Sequence, residues 1–191
     1  MQRRILSSLA VGLTAAGLAL STLVAPAGAS TAARENPGRD SMVRDFTRVA
    51  VAPALYSKLQ RLGVTPSSTK GADVVVYNGT PAFRFTITKV KNEGRKIYHV
   101  GGLKLSKGHH FITIKAPTIK VRQGYVSGKV VVDGTTLGRG NVFRLAKSNR
   151  PQYGDIRLVL TQIGATAIDD TFGINRFSRG DNVGFATVVM H

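Results

Sequence analysis

The sequence predicts a mainly β fold, either an antiparallel β-sandwich or a partly closed barrel, with one or two short helices. Between Ile97 and Val132, apolar residues recur mostly at every second position, the period that places side chains on one face of a sheet. Dipeptides that favour tight turns, Asn78-Gly79 and Asp133-Gly134, end two of the apolar runs. Helical crossovers between successive runs are missing from the pattern, which argues against an α/β fold.

The first 29 of the 191 residues predict a signal peptide for export. Arg3 and Arg4 form the positive start, residues 5–24 form the apolar segment, and Ala27-Gly28-Ala29 is a small-residue site, so we expect cleavage after Ala29. An uncleaved membrane anchor is the alternative, since about twenty apolar residues can span a bilayer, but glycine, serine and threonine dilute this run. The ordinary secretory route is favoured over the twin-arginine route because the segment is strongly apolar.

The mature chain is predicted to consist of a disordered tether, residues 30–45, and a single β-rich domain, residues 46–191. The tether is small, polar and charged, a composition that does not build a core. In the segment 45–62, apolar residues lie near helical spacing and Pro53 interrupts the pattern. This predicts a short helix at about 54–62 that stops at Gly63, followed by a Ser/Thr-rich loop that ends near Gly71.

The rest of the domain is predicted mostly as short strands. We place them at residues 74–77, 83–88, 95–100, around Leu103, and at 110–115, 126–132, 142–146, 156–161 and 183–189. Pro117 indicates an edge or a strand start, because proline cannot donate to a sheet ladder. The glycine-containing segment 134–140 is interpreted as a hairpin loop. Residues 162–172 break the period of two and predict a second helix that ends at Gly173.

The alternation predicts a buried face and a basic face on the central strands. The apolar positions that define the buried face are Leu103, Leu105, Phe111, Ile112, Ile114, Ile119, Val121, Val130 and Val132. The basic residues that fall mostly between them are Lys104, Lys115, Lys120, Arg122 and Lys129. We therefore expect these five cations to project from a common sheet surface.

Charge is the most unusual feature of the composition. The formal net charge is +17, and removal of Arg3 and Arg4 with the leader leaves +15. Residues 84–129 carry eleven basic groups and one acidic group, so most of the excess lies on the central strands. This density favours anionic partners such as wall polymers, lipid headgroups, nucleic acid or an acidic protein. A solvated basic face without a specific ligand is the alternative interpretation.

The sequence indicates no catalytic residues and no metal site. The chain has no cysteine, which excludes thiol chemistry and cysteine-ligated clusters. His109 and His110 are neighbours, so in a regular strand they point to opposite faces and cannot hold one ion; we expect an exposed turn there. Asp169 and Asp170 diverge on a helix and fit capping or solvation. Serine is plentiful but lies in no nucleophile-elbow motif.

From about Leu62 to Val189, the sequence resembles exported actinobacterial β-proteins distantly similar to the haem-transport-associated (HtaA-like) domain. The motifs that carry the resemblance are Ile97-Tyr98-His99-Val100-Gly101-Gly102-Leu103, the segment 112–121 with Pro117, the segment 160–165 and Phe177-Ser178-Arg179-Gly180. The resemblance implies a β-rich protein of the envelope and, in some members, haem bound through a tyrosine with a histidine nearby. His99 is the matching histidine and the candidate haem-contacting residue, whereas no tyrosine is placed by a motif.

These observations predict an exported, non-enzymatic binding or structural protein of the cell envelope. Its expected partner is an anionic polymer or an acidic protein on the basic face, with no specific nucleic acid and no membrane span after leader cleavage. No cofactor is expected on this interpretation. Haem binding of the HtaA-like type is one alternative, and a secreted hydrolase is another, although no residues for hydrolysis were identified.

Overall fold

The computed structural model describes residues 44–191, so the predicted signal peptide and nearly all of the predicted tether lie outside the described residues. The strands are β1 (Phe46–Val51), β2 (Thr65–Thr69), β3 (Ala72–Tyr77), β4 (Thr80–Lys91), β5 (Lys96–His99), β6 (Gly102–Lys107), β7 (His110–Lys120), β8 (Tyr125–Val132), β9 (Thr135–Lys147), β10 (Ile156–Leu160) and β11 (Asn182–Val189). The helices are α1 (Pro53–Arg61) and α2 (Gln162–Phe172). Neither has the length and apolar character that crossing a membrane requires.

Eight of the strands close into a barrel. Their order around the wall is β1, β4, β5, β7, β8, β9, β10 and β11, each antiparallel to the next, and β11 returns to β1. Three further strands extend this wall, because β3 pairs with β4, β6 pairs with β7, and β2 pairs with the outer edge of β6. The mainly β prediction is confirmed, and the barrel is the architecture that forms.

Strand β7 is shared by three neighbours and is the centre of the wall. One edge pairs with β6 up to Lys115 and with β5 from Thr118, while the other edge pairs with β8. The register with β8 shifts between these two residues, at Ala116-Pro117. The prediction that Pro117 marks an edge or a strand start is therefore wrong: it lies inside a central strand, at a bulge where its missing N–H breaks no ladder bond.

The helices pack their apolar sides onto the barrel core. Leu59 of α1 and Ile168 and Phe172 of α2 belong to the same buried cluster as the inward residues of β6 to β10. The Thr161 side chain accepts a hydrogen bond from the Gly164 N–H and so caps α2, which ends at Gly173 as predicted. The predicted first helix is also confirmed and begins one residue earlier, since proline fits the first helical position.

Three predicted segments differ from the structure. Phe46 and Val49 belong to β1 rather than to a helical pattern, because the buried polar residue Thr47 hides the alternation of that strand. The predicted loop after Gly63 contains β2, whose polar residues are held to β6 by main-chain hydrogen bonds. The predicted hairpin loop 134–140 is mostly the start of β9, where a positive φ at Gly138 accompanies a register shift with β8.

The predicted core is largely correct. Ile114, Ile119 and Val130 are each less than 7% exposed and point into the barrel. Val121 was predicted to join them but is 48% exposed, because β7 ends at Lys120 and the next residues form a turn. Phe111 was also predicted to be in the core; it is half-buried and, as the neighbour of the inward Ile112, points to the outer face.

Candidate functional site

On the outer face of the barrel, cations lie directly opposite one another on neighbouring strands. Lys115 of β7 is the register partner of Lys129 in β8, and Lys129 is in turn the partner of Arg139 in β9. Side chains in such positions start about 5 Å apart, and like charges there are destabilising. The Arg139 guanidinium donates to the Ala116 carbonyl at 3.0 Å, but a carbonyl oxygen does not neutralise the charge.

A second row of outer residues runs beside the first. Lys120 of β7 is the partner of Lys96 in β5 on one side and of Tyr125 in β8 on the other. Tyr125 is the partner of Arg144 in β9. We call the two rows together with Lys104 the basic face. Its members are Lys96, Lys104, Lys115, Lys120, Tyr125, Lys129, Arg139 and Arg144.

Four of the five predicted anion-binding residues belong to this face: Lys104, Lys115, Lys120 and Lys129. Lys104 of β6 is the partner of Thr113, and its ammonium group lies 4.2 Å from the centre of the Phe111 ring. Arg122 differs from the other four, because it lies in the exposed turn between β7 and β8 rather than on a strand. Its anion-binding role, like theirs, stays a prediction.

Arg122 instead lines a cleft of about 180 Å³ between two turns, the turn cleft. The turn from β4 to β5 forms one wall and the turn from β7 to β8 the other, and the Val121 N–H donates to the Arg95 carbonyl at 2.9 Å to hold them together. The lining residues are Asn92, Arg95, Lys96, Lys120, Arg122 and Gln123. Four of these six are cations and none is a carboxylate, so the cleft continues the basic face at the end of the barrel.

A larger depression of about 330 Å³ lies at the other side of Tyr125, where α2 begins; we call it the α2 pocket. Its lining residues are Tyr125, Asn141, Arg144, Leu160, Thr161, Gln162, Ile163 and Arg179. Arg144 and Arg179 are exposed and, like the lysines of the basic face, have no ion-pair partner among residues 44–191. The turn cleft, the second row and the α2 pocket therefore form one band of uncompensated positive charge.

His99, the candidate haem-contacting residue, lies inside the barrel. Its Nε2 is 2.7 Å from the Thr47 hydroxyl and its Nδ1 is 3.0 Å from the Pro117 carbonyl. A carbonyl can only accept, so Nδ1 carries the proton and, in the neutral ring, Nε2 accepts from Thr47. Burial lowers the pKa of His99 below its ordinary value of 6.5, although the hydrogen bond to Pro117 opposes the shift. The ring is thus held neutral.

The surroundings of His99 do not fit haem. The cavity beside the ring has a volume of about 50 Å³ and is lined mainly by apolar side chains such as Phe83, Phe85 and Ile119. Pockets for small-molecule ligands commonly measure about 300 to 1000 Å³. Both ring nitrogens are also engaged in hydrogen bonds, so neither is available to iron. His99 in this arrangement organises the barrel interior around the Pro117 bulge.

The remaining polar candidates have structural roles. His110 is exposed, and its Nδ1 lies 2.8 Å from an Asp133 carboxylate oxygen. That hydrogen bond and one from the Phe111 N–H lower the pKa of Asp133. Asp169 is buried and accepts from the Arg176 and Phe177 N–H groups, which fixes the chain after α2. Residues 44–191 contain no cluster of three His, Asp or Glu side chains that could hold a metal ion.

Sequence reasoning missed some cations of the basic face and of the α2 pocket. Arg139 lies in the segment that the sequence predicts as a hairpin loop. Arg144 lies in a correctly predicted strand, but the sequence does not give the register of that strand with its neighbours. Arg179 is far from both in the sequence and is brought close because Gly180 N–H donates to the Leu160 carbonyl at 2.9 Å, next to the start of α2. The available signal in β9 was Arg144 alone, which stands between the apolar residues Phe143 and Leu145, whereas Arg139 stands between two glycines.

Comparisons with known proteins confirm the resemblance in fold. No family model matches the sequence, and no curated protein matches it. The C-terminal domain of HtaA from Corynebacterium glutamicum has a similar structure, with a TM-score of 0.50 and 16% identity over 75% of this chain and 93% of that domain. The heme binding protein HtaB from the same organism gives a TM-score of 0.49 and 11% identity over 75% of this chain and 90% of that protein. The chain therefore resembles the HtaA-like domain in fold.

Proposed function

We propose that this HtaA-like barrel is a non-enzymatic binding protein of the cell envelope that holds an anionic polymer on its basic face. The observation that supports the proposal most directly is the set of like-charged register partners, Lys115 with Lys129 and Lys96 with Lys120. Such pairs lower the stability of a sheet unless an anion compensates them. The predicted signal peptide supports the location.

The shape of the band favours a polymer over a compact acidic protein. The second row crosses four neighbouring strands, from Lys96 in β5 to Arg144 in β9, at about 4.8 Å per strand. Lys96 and Lys120 are therefore about one strand spacing apart, within the Debye length of about 8 Å at physiological salt, and reinforce each other's field. A chain with regularly spaced negative groups can contact several of these cations at once and release their counterions.

Charge reversal on the face tests this function. We expect the variant Lys115→Glu, Lys120→Glu, Arg122→Glu to lose retention on a heparin or teichoic-acid matrix, while the wild-type protein binds at low salt and elutes as salt rises. The fold should persist, because Glu at position 115 faces Lys129 and Glu at position 120 faces Lys96, which turns repulsive partners into attractive ones.

The matched control is a second triple reversal with the same change in net charge. Arg61, Lys70 and Arg150 are exposed and lie outside the band. Their replacement by Glu should reduce retention only slightly. Equal retention of the wild-type protein and the 115/120/122 variant would show that the basic face is only a solvated surface. Equal loss in both triple variants would show that net charge, rather than this face, governs binding.

Haem binding is the second candidate function, favoured by the likeness in fold to the HtaA domain. The ligand would have to bind outside the barrel interior, since the cavity beside His99 is too small. We expect His99→Gln to leave any Soret band formed on haem titration unchanged, with folding checked by circular dichroism. A Soret band that appears in the wild-type protein and disappears in this variant would contradict the interior placement of His99.

A further inference from the structure

We infer that the α2 pocket binds one anionic sugar residue, a single ring that carries a carboxylate or a phosphate. The inference rests on the proposed function, since the pocket would then hold one residue of the polymer that lies along the basic face. The pocket and the face are continuous, because Tyr125 lies between Lys120 and Arg144. The pocket nevertheless contains residues that the basic face lacks, such as Gln162 and Arg179, and can therefore be tested separately.

The walls of the pocket are built from fixed main chain. Thr161 donates through its hydroxyl to the Asn141 carbonyl at 2.7 Å, and its N–H donates to the Val142 carbonyl at 3.0 Å, so the start of α2 is tied to β9. On the other side, Leu160 N–H donates to the Asp181 carbonyl at 2.9 Å, next to the segment that carries Arg179. The pocket is therefore preformed, which reduces the entropy lost on binding.

The two guanidinium groups provide the anion-binding part. Arg144 comes from β9 and Arg179 from the segment between α2 and β11, and both line the same depression. No carboxylate lines the pocket, so neither charge is neutralised there. The planar guanidinium group matches the geometry of carboxylate and phosphate, to which it donates two hydrogen bonds in parallel. An anion between these arginines would be bound by charge-assisted hydrogen bonds.

The other lining residues fit a sugar ring better than a free inorganic ion. The Asn141 amide can donate to and accept from hydroxyl groups. The Gln162 Nε2 donates to the Thr166 hydroxyl at 3.2 Å, which leaves its second N–H and its carbonyl oxygen for a ligand. The Tyr125 ring and the Ile163 side chain, which is 58% exposed, offer apolar surface for the carbon-bound hydrogens of a ring. A volume of about 330 Å³ is at the lower end of small-molecule pockets and suits one ring rather than a larger planar ligand.

Calorimetry with small ligands tests the inference on the intact mature chain. The probes are glucuronic acid, glucose 1-phosphate, glucose and inorganic phosphate. We expect one or both anionic sugars to bind, and glucose and phosphate alone to bind at least about tenfold more weakly, because each lacks half of the contacts. Glucuronic acid and glucose 1-phosphate distinguish a carboxylate-bearing polymer from a phosphate-bearing one.

Variants identify the pocket as the place of binding. Arg144→Gln and Arg179→Gln should each weaken binding of the anionic sugar about tenfold or more, since each removes a charge-assisted pair of hydrogen bonds. Arg150→Gln, which removes the same charge from an exposed arginine outside both the basic face and the pocket, should leave that affinity within about twofold. Tyr125→Ala should weaken the sugar more than it weakens inorganic phosphate, because the ring contacts are lost.

The outcomes separate this inference from the proposed function. If the wild-type protein is retained on the polymer matrix but binds neither anionic sugar, or binds inorganic phosphate as well as glucose 1-phosphate, the pocket inference is wrong and the polymer function stands. If the wild-type protein binds an anionic sugar through Arg144 and Arg179 but is not retained on any polymer matrix, the proposed function is wrong and the pocket stands.

Discussion

Replacement of Ile114 by alanine is expected to lower the free energy of unfolding by about 2 to 5 kcal/mol. Ile114 is 4% exposed and lies on β7 between Leu103 of β6 and Val130 of β8. A Cβ atom placed on Gly128 would lie 2.5 Å from its Cγ2, so the isoleucine fills the space above that glycine. Gly128 has no side chain that could move into the cavity, which favours the upper part of the range.

Val121 provides the matched control for this prediction. It lies just beyond the end of β7 and is 48% exposed, so Val121→Ala should change the free energy of unfolding by less than about 0.5 kcal/mol. Urea unfolding followed by circular dichroism measures both variants. A loss below about 0.5 kcal/mol for Ile114→Ala would mean that β7 presents its other face to the barrel interior.

Acidification below about pH 6.5 is expected to lower the stability of the folded protein through His99. Burial lowers the pKa of His99 in the folded state, whereas in the unfolded chain the ring takes up a proton near its ordinary value of 6.5. Between the folded and the unfolded pKa the unfolded state therefore binds more protons, and stability rises with pH. The slope is at most about 1.4 kcal/mol per pH unit for one proton, and it disappears above the unfolded pKa.

The variant His99→Gln should lose this slope, because glutamine keeps polar contacts to its neighbours without titrating. His109→Gln is the control, since His109 is exposed in the turn before β7 and its replacement should leave the slope in place. The lowered pKa of Asp133 acts elsewhere: its stabilisation is lost only as pH falls below the ordinary value of 3.8. If the free energy of unfolding changes equally with pH between pH 5 and 6.5 in the wild-type protein and in His99→Gln, the prediction is wrong.

The strands and helices that could be predicted from the sequence are those in which apolar side chains are buried and polar side chains are exposed. β7 and β8 alternate apolar and polar residues because one face meets the barrel interior, and α2 carries both a cap and a terminal glycine. β2 could not be recognised, since its polar side chains are half-buried and its pairing is made by main-chain groups that every residue possesses. Barrel closure likewise depends on pairings between strands distant in the sequence.

The basic face was predictable in kind but not in extent. Alternation placed Lys104, Lys115, Lys120 and Lys129 outside the core, because a strand with one buried face has one solvent face. The residues that lie opposite these lysines depend on the register between neighbouring strands, which the alternation does not determine. Lys129 faces Arg139 only because a bulge shifts β9 against β8. The α2 pocket could not be predicted at all, since Arg144 and Arg179 are brought to one depression by main-chain hydrogen bonds between Leu160 and the segment 180–181.

The pairing of β1 with β11 bears on when this chain can fold. Phe46 is the register partner of Val189, so the first and the last strand of the barrel lie side by side. A chain emerging from a translocation channel amino end first would have to wait for its final strand before the wall could close, and pairings of such long sequence separation form slowly. Exposed strand edges would persist during that interval, and the high positive charge of the chain would keep neighbouring copies apart until closure.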